Sequence, residues 1–544
     1  MSETRATFPA PQPQHITLEK QMQTKTMIGI SALALGLASL LALLLVLSPA
    51  RAADTTRYVA TTGRNFIPIG GGPFMINDCK IITDPCRTVQ HAVNRADPGD
   101  EIRVATGVYT GVQATQGMTQ VVYIDKSVTI RGGYTTTNWA TPYPLTQPTV
   151  LDAQGLGRVV VISGSIAPTL EGFILTRGDA NGQPTGCATG HGAPAGCGGG
   201  IFINESSPLI VNNVITGNIA TDTFGRTGYG GGLYLRSASG AVISGNVIIS
   251  NVANLNGYGD GGGLYLDQSS AQVRANQILS NYATGISNFG WGGGISVDYG
   301  APTVENNILR GNRANPAGMQ RGAALHTYND SGLYRSNIIG DNAGESAVCL
   351  QGSRARLESN WVISNTAAVG VELFTSSGTG PLLINNIIAR SGTTATIRAI
   401  WTSGSAIQAQ LLHNTLVGSG IGSGIYVTGS ATLFLTNTII VSHTWGITSV
   451  TPASATVNAD HTLFWANMSP GIQGTNPVNG DPRFVNPAGG DYHISAGSAA
   501  QDAGATTAIT ADIDGDRRPI GAAPDIGADE RRMYVYLPLV LRND

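Results

Sequence analysis

Lysine is nearly missing from this chain: only Lys20, Lys25, Lys80 and Lys126 occur, none of them between Gly198 and Val427. Charged residues are 12 % of the 544, against roughly 25 % in ordinary globular proteins. A net charge of −3 leaves no electrostatic footprint for a polyanion, so nucleic acid is excluded as a partner. Apolar runs long enough for helices are missing from the middle of the chain. So are the Trp-Asp and leucine-rich signatures of propellers and leucine-rich repeats.

A repeating phrase is there instead. One half is a glycine triplet followed by an apolar alternation: Gly230-Gly231-Gly232-Leu233-Tyr234-Leu235, Gly261-Gly262-Gly263-Leu264-Tyr265-Leu266 and Gly292-Gly293-Gly294-Ile295-Ser296-Val297. The other half is an asparagine before a short apolar run, at Asn213, Asn246, Asn276, Asn307, Asn337, Asn360, Asn386, Asn414 and Asn437, with His461 taking the place in a terminal coil. A period of about 23 to 33 residues means stacked repeats. The alternation within each run is that of strands. Strands stacked roughly 4.8 Å apart give every coil a neighbour above and below, and the crossover rule makes such a solenoid right-handed. Asparagines at the bend can bond coil to coil as a ladder. The expected class is therefore all-β: a right-handed parallel β-helix with a short N-terminal capping helix and an irregular C-terminal capping module. The helix is read from Val89, Ala92, Val93 and Ala96, and Asp97-Pro98-Gly99-Asp100 stops it.

The expected divisions are 1–52, a leader; 53–163, cap and first coils; 164–470, repeat body; 471–530, C-terminal module; and 531–544, a tail. The apolar stretch Met27 to Leu47 followed by Ala50-Arg51-Ala52 reads as a cleavable signal peptide, with an uncleaved signal anchor as the alternative. Either way the body is exported, and the membrane is a partner only through this segment if it stays uncleaved. Cys79 with Cys86, and Cys187 with Cys197, can each close a small loop in that compartment, leaving Cys349 over.

Several phrases carry a family resemblance. Arg87-Thr88-Val89-Gln90, Pro98-Gly99-Asp100 and Gly107-Val108-Tyr109, with the repeats, resemble bacterial right-handed β-helix proteins of the pectate-lyase-like group. Asp481-Pro482-Arg483-Phe484, Asp512-Ile513-Asp514-Gly515-Asp516 and Pro524-Asp525-Ile526-Gly527-Ala528-Asp529-Glu530 resemble the terminal module called choice-of-anchor Q. The resemblance implies an exported protein, secreted or held at the cell surface. The end of the chain, Tyr534-Val535-Tyr536-Leu537-Pro538-Leu539-Val540, resembles a short tail of secreted bacterial proteins; a sorting or docking signal and a last edge strand are both open readings.

Within each glycine-triplet strand one outward position gives the column Phe202, Tyr234, Tyr265, Ser296, His326, Cys349, Glu372, Trp401 and Tyr426; two residues on lie Arg236, Asp267, Asp298, Tyr328, Gln351 and Phe374. Rings and polar groups together suit a saccharide, so Tyr234, Tyr265, Ser296, His326, Glu372, Trp401 and Tyr426 are candidate polysaccharide contacts. The plain alternative is that such residues are simply good strand formers. Asp267 and Asp298, adjacent and of like charge, are candidate ligands for Ca²⁺. Asp512, Asp514 and Asp516 form a second candidate Ca²⁺ loop, although Ala523 stands where an EF-hand needs Glu. Lyases of the resembled group use such carboxylates with an Arg or Lys base. Here Arg236 would have to serve, and with Asp267, Asp298 and His326 it completes the catalytic candidates. Gly190-His191-Gly192 resembles a polygalacturonase phrase whose partner motifs are missing. No complete catalytic set lies in one place, so the sequence favours a glycan-binding, adhesive or structural protein without turnover. A polysaccharide lyase or glycoside hydrolase is the alternative.

Overall fold

The computed structural model describes residues 55–532 except 69–73, 184–186, 188–194, 286–288, 315–320, 376–378, 402–407 and 451–454. The leader, Gly190-His191-Gly192 and the tail from 533 onward therefore lie outside the described residues, and so does the Trp401 side chain.

Three sheets of 14 strands each run the length of a solenoid, every strand parallel to its neighbours in the next coils apart from the Gln113–Thr115 hairpin strand. We call them the pre-ladder sheet, the post-ladder sheet and the glycine-triplet sheet, after the phrase each contains. Their inward residues form one continuous core, which includes Ile243, Val273, Ile278, Leu264 and Val297. The helix Val89–Arg95 is N-capped by Thr88, whose hydroxyl accepts the His91 N–H. It buries Val89, Ala92 and Val93 in the same core at the open end of the stack, covering strand edges that would otherwise invite pairing.

The asparagine ladder is present. Asn307 Nδ2 donates to Asn337 Oδ1 of the next coil at 3.0 Å and to the Val273 carbonyl at 2.8 Å, and equivalent bonds link Asn213 through to Asn414. The last two positions differ from the sequence reading. Thr415 pairs in register with Ile439, and Ile439 with Leu463, so Thr438 and Thr462 occupy the ladder place. Asn437 and His461 precede it with left-handed φ of 54° and 44°. That backbone corner recurs at Asn306 and His413, and it accepts Asn and His more readily than most residues. A second ladder, absent from the sequence reading, runs five residues later through Asn218, Asn251, Asn281, Asn312, Asn342 and Asn365.

Long and short coils differ by an added ledge. Between the second ladder and the glycine triplets, the coils up to Trp291 carry extra strands: Ala195–Cys197, Thr227–Tyr229, Tyr258–Asp260 and Gly290–Trp291 in one small sheet, and Ile219–Thr221, Val252–Asn254 and Tyr282–Thr284 in another. Gly259 shows how closely these pack, since a Cβ there would stand 1.6 Å from the Ala283 carbonyl oxygen.

The C-terminal segment turns back along the outer face of the post-ladder sheet. Tyr492, Ile494, Ile513 and Ile526 bury against Ile387, Val417, Ile439 and Leu463. Arg518 is wholly buried, paired to Glu530 at 3.0 Å and donating to the carbonyls of Asp525, Gly527 and Ala528. Disulfides join Cys79 to Cys86 and Cys187 to Cys197, and Cys349 is free and buried. No helix among the described residues is long and apolar enough to cross a membrane.

Candidate functional site

Strand register places the outward column where the repeat indicates, with one exception. Tyr234 pairs with Tyr265, Tyr265 with Ser296, Ser296 with His326, His326 with Cys349 and Cys349 with Glu372. Glu372 then pairs with Arg398, and Arg398 with Tyr426. Trp401 falls three residues further along its strand, opposite Thr375. It is not in the column.

Much of the column is not open to a ligand. Phe202, Tyr234 and Tyr265 stack at 5.6 Å between ring centres, and the ledge covers them, with Tyr229 4.8 Å from Tyr265. Tyr234, Tyr265, Ser296 and Glu372 are essentially inaccessible. As polysaccharide contacts these residues are corrected: Tyr234 and Tyr265 serve a second, smaller core, and Ser296 and Glu372 are buried against polar partners. Glu372 is gripped by Arg321 at 3.2 Å and Arg398 at 2.8 Å. Arg398 also reaches Glu345, and Arg321 lies 4.1 Å over the Phe374 ring. Cys349, beneath them, has its thiol pushed up by burial, so it is no nucleophile. Tyr426 is half-buried.

The neighbouring Asp267 and Asp298 are each held by other side chains. Tyr234 Oη donates to Asp267 Oδ2 at 2.9 Å, and Arg236 pairs with the same oxygen at 3.9 Å. Tyr265 Oη donates to Asp298 Oδ2 at 2.7 Å. Arg236 is committed to a carboxylate and does not stand as a base. The carboxyl that meets Asp298 is that of Asp260, from the adjacent coil, a residue the sequence reading passed over. It ends the ledge strand Tyr258–Asp260, directly before the second glycine triplet, and the fold back onto the sheet brings it to Asp298 and His326. One ligating atom of each lies within 4.8 Å of the others.

This cluster sits where the ledge stops. Asp260 and Trp291 come from its last two strands, whereas Ser296, Asp298 and His326 come from the sheet beneath. Each of the three titratable groups keeps a sliver of surface: 7 % for Asp260, 6 % for Asp298 and 4 % for His326. Burial raises the Asp260 carboxyl well above its ordinary value, and the Asp298 charge adds to this; bonds from Ser296 and the Gly261 N–H oppose it. Burial likewise lifts Asp298 to about 7, against the pull of the Tyr265 hydroxyl, with Asp267 and Asp330 adding repulsion. Two carboxylates this close cannot both ionise easily. His326 is driven down to about 4, by burial first and by Arg321 in lesser part, so it is neutral near pH 7. Its Nδ1 lies 3.1 Å from Ser296 Oγ and its Nε2 3.4 Å from Gln351 Oε1. Half-buried Trp291 and Tyr328 border the cluster, the Trp291 ring 6.2 Å from that of His326.

Two further groups could be thought metal-binding. Cys79, Cys86 and His91 converge, but both sulfurs are spent in a disulfide. The Asp512–Asp516 loop is a turn rather than a calcium loop: Asp512 accepts the N–H groups of Asp514, Asp516 and Glu530, and Asp516 pairs with Arg532. Asp514 instead turns toward His493 and Asp529.

A family model described as "Right handed beta helix region" matches residues 162–332. The fold is a right-handed parallel β-helix. The match stops short of the C-terminal segment, and no distinct choice-of-anchor Q domain is shown. Among curated proteins none matches the chain. Similar solved structures include pectate lyase Pel9A, at 14 % identity and a TM-score of 0.40 over 88 % of this chain and 97 % of that one. Another is an alginate lyase from Paenibacillus sp. (14 %, 0.23, 69 % and 95 %). A third is the tailspike protein of E. coli bacteriophage HK620 in complex with a pentasaccharide (11 %, 0.25, 80 % and 84 %). The sequence-based leaning against turnover rested on no chemical set lying in one place, and it is corrected by the convergence of Asp260, Asp298 and His326; the similar structures are named as lyases and a glycan-bound tailspike. At such identities the likeness is one of fold, and the chemistry must come from this chain's own residues.

Proposed function

We propose that the protein is an exported enzyme that cleaves a glycan hydrolytically, with Asp260 and Asp298 as its carboxylate pair. The supporting observation is the pair itself: two buried carboxyls, within 4.8 Å, at the end of the ledge and beside aromatic rings. Asp298 takes the ionised role because the Tyr265 hydroxyl stabilises its charge. Asp260, with the larger burial cost and Asp298 beside it, keeps the proton and acts as general acid toward the glycosidic oxygen. Carboxyl oxygens no more than 4.8 Å apart leave no room for a water between them, which rules against the inverting route and leaves the ionised carboxylate as the nucleophile. Trp291 and Tyr328 offer faces on which a sugar ring can stack.

Hydrolysis is favoured over elimination by charge. Arg236, Arg321 and Arg398 are each paired to carboxylates, so they are poorly placed to neutralise a uronate, as a lyase requires. Two disulfides support export. In this reading the C-terminal segment, by its resemblance to choice-of-anchor Q modules, holds the enzyme at the cell surface.

The test is incubation with neutral and acidic polysaccharides, assaying reducing ends and ultraviolet-absorbing unsaturated ends separately. Reducing ends without unsaturation, lost in Asp298→Asn, are expected. Unsaturated ends would convert the assignment to a lyase, and glycan binding with no release of either kind would overturn turnover altogether.

A further inference from the structure

The C-terminal segment holds a second cluster, far from the glycine triplets in sequence and independent of the glycan-cleaving reading. We propose that His493, Asp514 and Asp529 bind a divalent transition-metal ion of the Zn²⁺ class, with Asp491 orienting the imidazole. One ligating atom from each of the three lies within 4.8 Å of the others. His493 is on the strand Asp491–Ile494, Asp514 on the Asp512–Asp516 turn and Asp529 near the end of the described chain.

The orientation of the histidine is the decisive feature. Nδ1 lies 2.6 Å from Asp491 Oδ1, so Nδ1–H donates to that carboxylate and Nε2 is the nitrogen left facing the cluster. Nε2 points into the cluster, 3.1 Å from Asp514 Oδ2; it is shielded from solvent yet is in no hydrogen bond of proper geometry. A carboxylate behind the far nitrogen of a ligating imidazole is the usual outer partner of a metal-bound histidine. Asp529 is more than nine-tenths buried and fixed by the Ile494 N–H at 2.7 Å. Trp361 of the post-ladder sheet packs 5.5 Å from the imidazole ring. Beside the cluster opens a cavity of about 420 Å³, bordered by Val485, Ser495, Arg531 and Arg532, with space for water or another ligand at a fourth position.

One nitrogen and two carboxylates, with a further position open, match zinc-type coordination. The imidazole donor disfavours calcium, which takes oxygen ligands. Small side-chain rotations are needed, since Zn–N and Zn–O bonds are about 2.0–2.2 Å. Coordination at Nε2 requires the neutral imidazole, so metal binding should weaken as the pH falls. Binding would tie together three stretches of the segment that packs over the post-ladder sheet.

The experiment uses the full chain stripped with chelator, titrated calorimetrically with ZnCl₂, then with CaCl₂, and melted in each state. One equivalent of Zn²⁺ and a raised Tm are expected. Asp514→Asn should weaken binding more than tenfold, and Asp491→Asn, which touches no metal, by about 10- to 100-fold. Melting of the stripped variants shows that each still folds, and glycan cleavage should be unchanged by the ion. Zn²⁺ binding of equal strength in the parent and both variants, no Zn²⁺ binding at all, or tighter Ca²⁺ than Zn²⁺ binding would each overturn the site.

Discussion

Coils up to Trp291 and coils after Asn337 share three sheets and the same ladder chemistry, but they treat the outer face of the glycine-triplet sheet in opposite ways. In the long coils the ledge turns Phe202, Tyr234 and Tyr265 into a second apolar core. In the short coils no ledge strand follows among the described residues, and the same face carries Glu372 with Arg321 and Arg398. The glycines mark the change. Gly262 and Gly293 are forced by carbonyls packed against them, of Tyr282 and Arg313; one coil later the phrase becomes Gly322-Ala323-Ala324. The candidate site lies at the step between the two regimes, where one wall can be supplied by the ledge and the floor by the sheet.

The sharpest way to break this comparison is to remove the charges at the step. Asp260→Asn or Asp298→Asn should each lower kcat/KM by at least about 10²–10⁴-fold. Glu372→Gln in the short coils should cost stability instead. Equal activity losses from Asp298→Asn and from a distant core variant such as Val273→Ala would show that the step has no special role.

The shared part of the comparison is next. Asn307 donates to Val273, Glu305 and Asn337 and accepts from Asn276. Asn307→Leu strands several buried groups and should cost about 2–4 kcal/mol, read from denaturant unfolding. Asn342→Leu in the second ladder should cost about the same.

Acid should then separate the regions. His326 and His443 are held near 4, and His413 near 3, mainly by burial. A depressed histidine disfavours the folded state once it must take a proton, so its contribution is intact above the unfolded value of about 6.5 and is lost as pH falls toward 4. The full loss should reach about 3–5 kcal/mol per group, because each pH unit between the unfolded and folded values is worth about 1.4 kcal/mol. Asp298 has the opposite sign. Its raised folded value makes its contribution complete below about 3.9 and lost as pH rises through about 7. Melting curves should therefore show His443→Gln flattening the acid limb and Asp298→Asn gaining on the parent above pH 7.

The smallest effect is expected on the pre-ladder face. Arg335 pairs with Glu305 of the preceding coil, while Glu358 turns to Arg356 on its own strand. Glu305→Ala should change stability by about 1 kcal/mol or less. A larger change would mean that Arg274, Glu305, Arg335 and Glu358, which alternate in sign on successive coils of this sheet, act as one network.

The solenoid, its core columns and the outward column were legible because a period repeated nine times averages out local ambiguity. Where the repeat weakens, so does the reading. Asn437 and His461 drew the register one residue early because they fill a left-handed corner that favours their type. Trp401 drew it three residues late because an aromatic at the end of the strand Ala395–Trp401 mimics the outward position that Arg398 holds. The second ladder was visible at Asn251, Asn281 and Asn312, at the same spacing as the first. The ledge was harder: its strands are two or three residues long and rich in glycine, with no alternation to detect. Asp260 was missed with it, although Tyr229, Asp260 and Trp291 recur immediately before successive glycine triplets. Whether an outward residue meets solvent or a second layer depends on that ledge, and this decided the fate of Tyr234 and Tyr265.

The central claim is that the step between long and short coils holds a carboxyl pair sharing one proton near neutral pH. The most direct measurement is a ¹³C titration of the aspartate carboxyls, with Asp298→Asn to assign the signal. A midpoint near 7 for Asp298 that moves when Asp260 is changed to Asn is the predicted result. A midpoint near the ordinary 3.9 of an exposed aspartate, unmoved by Asp260→Asn, would contradict it.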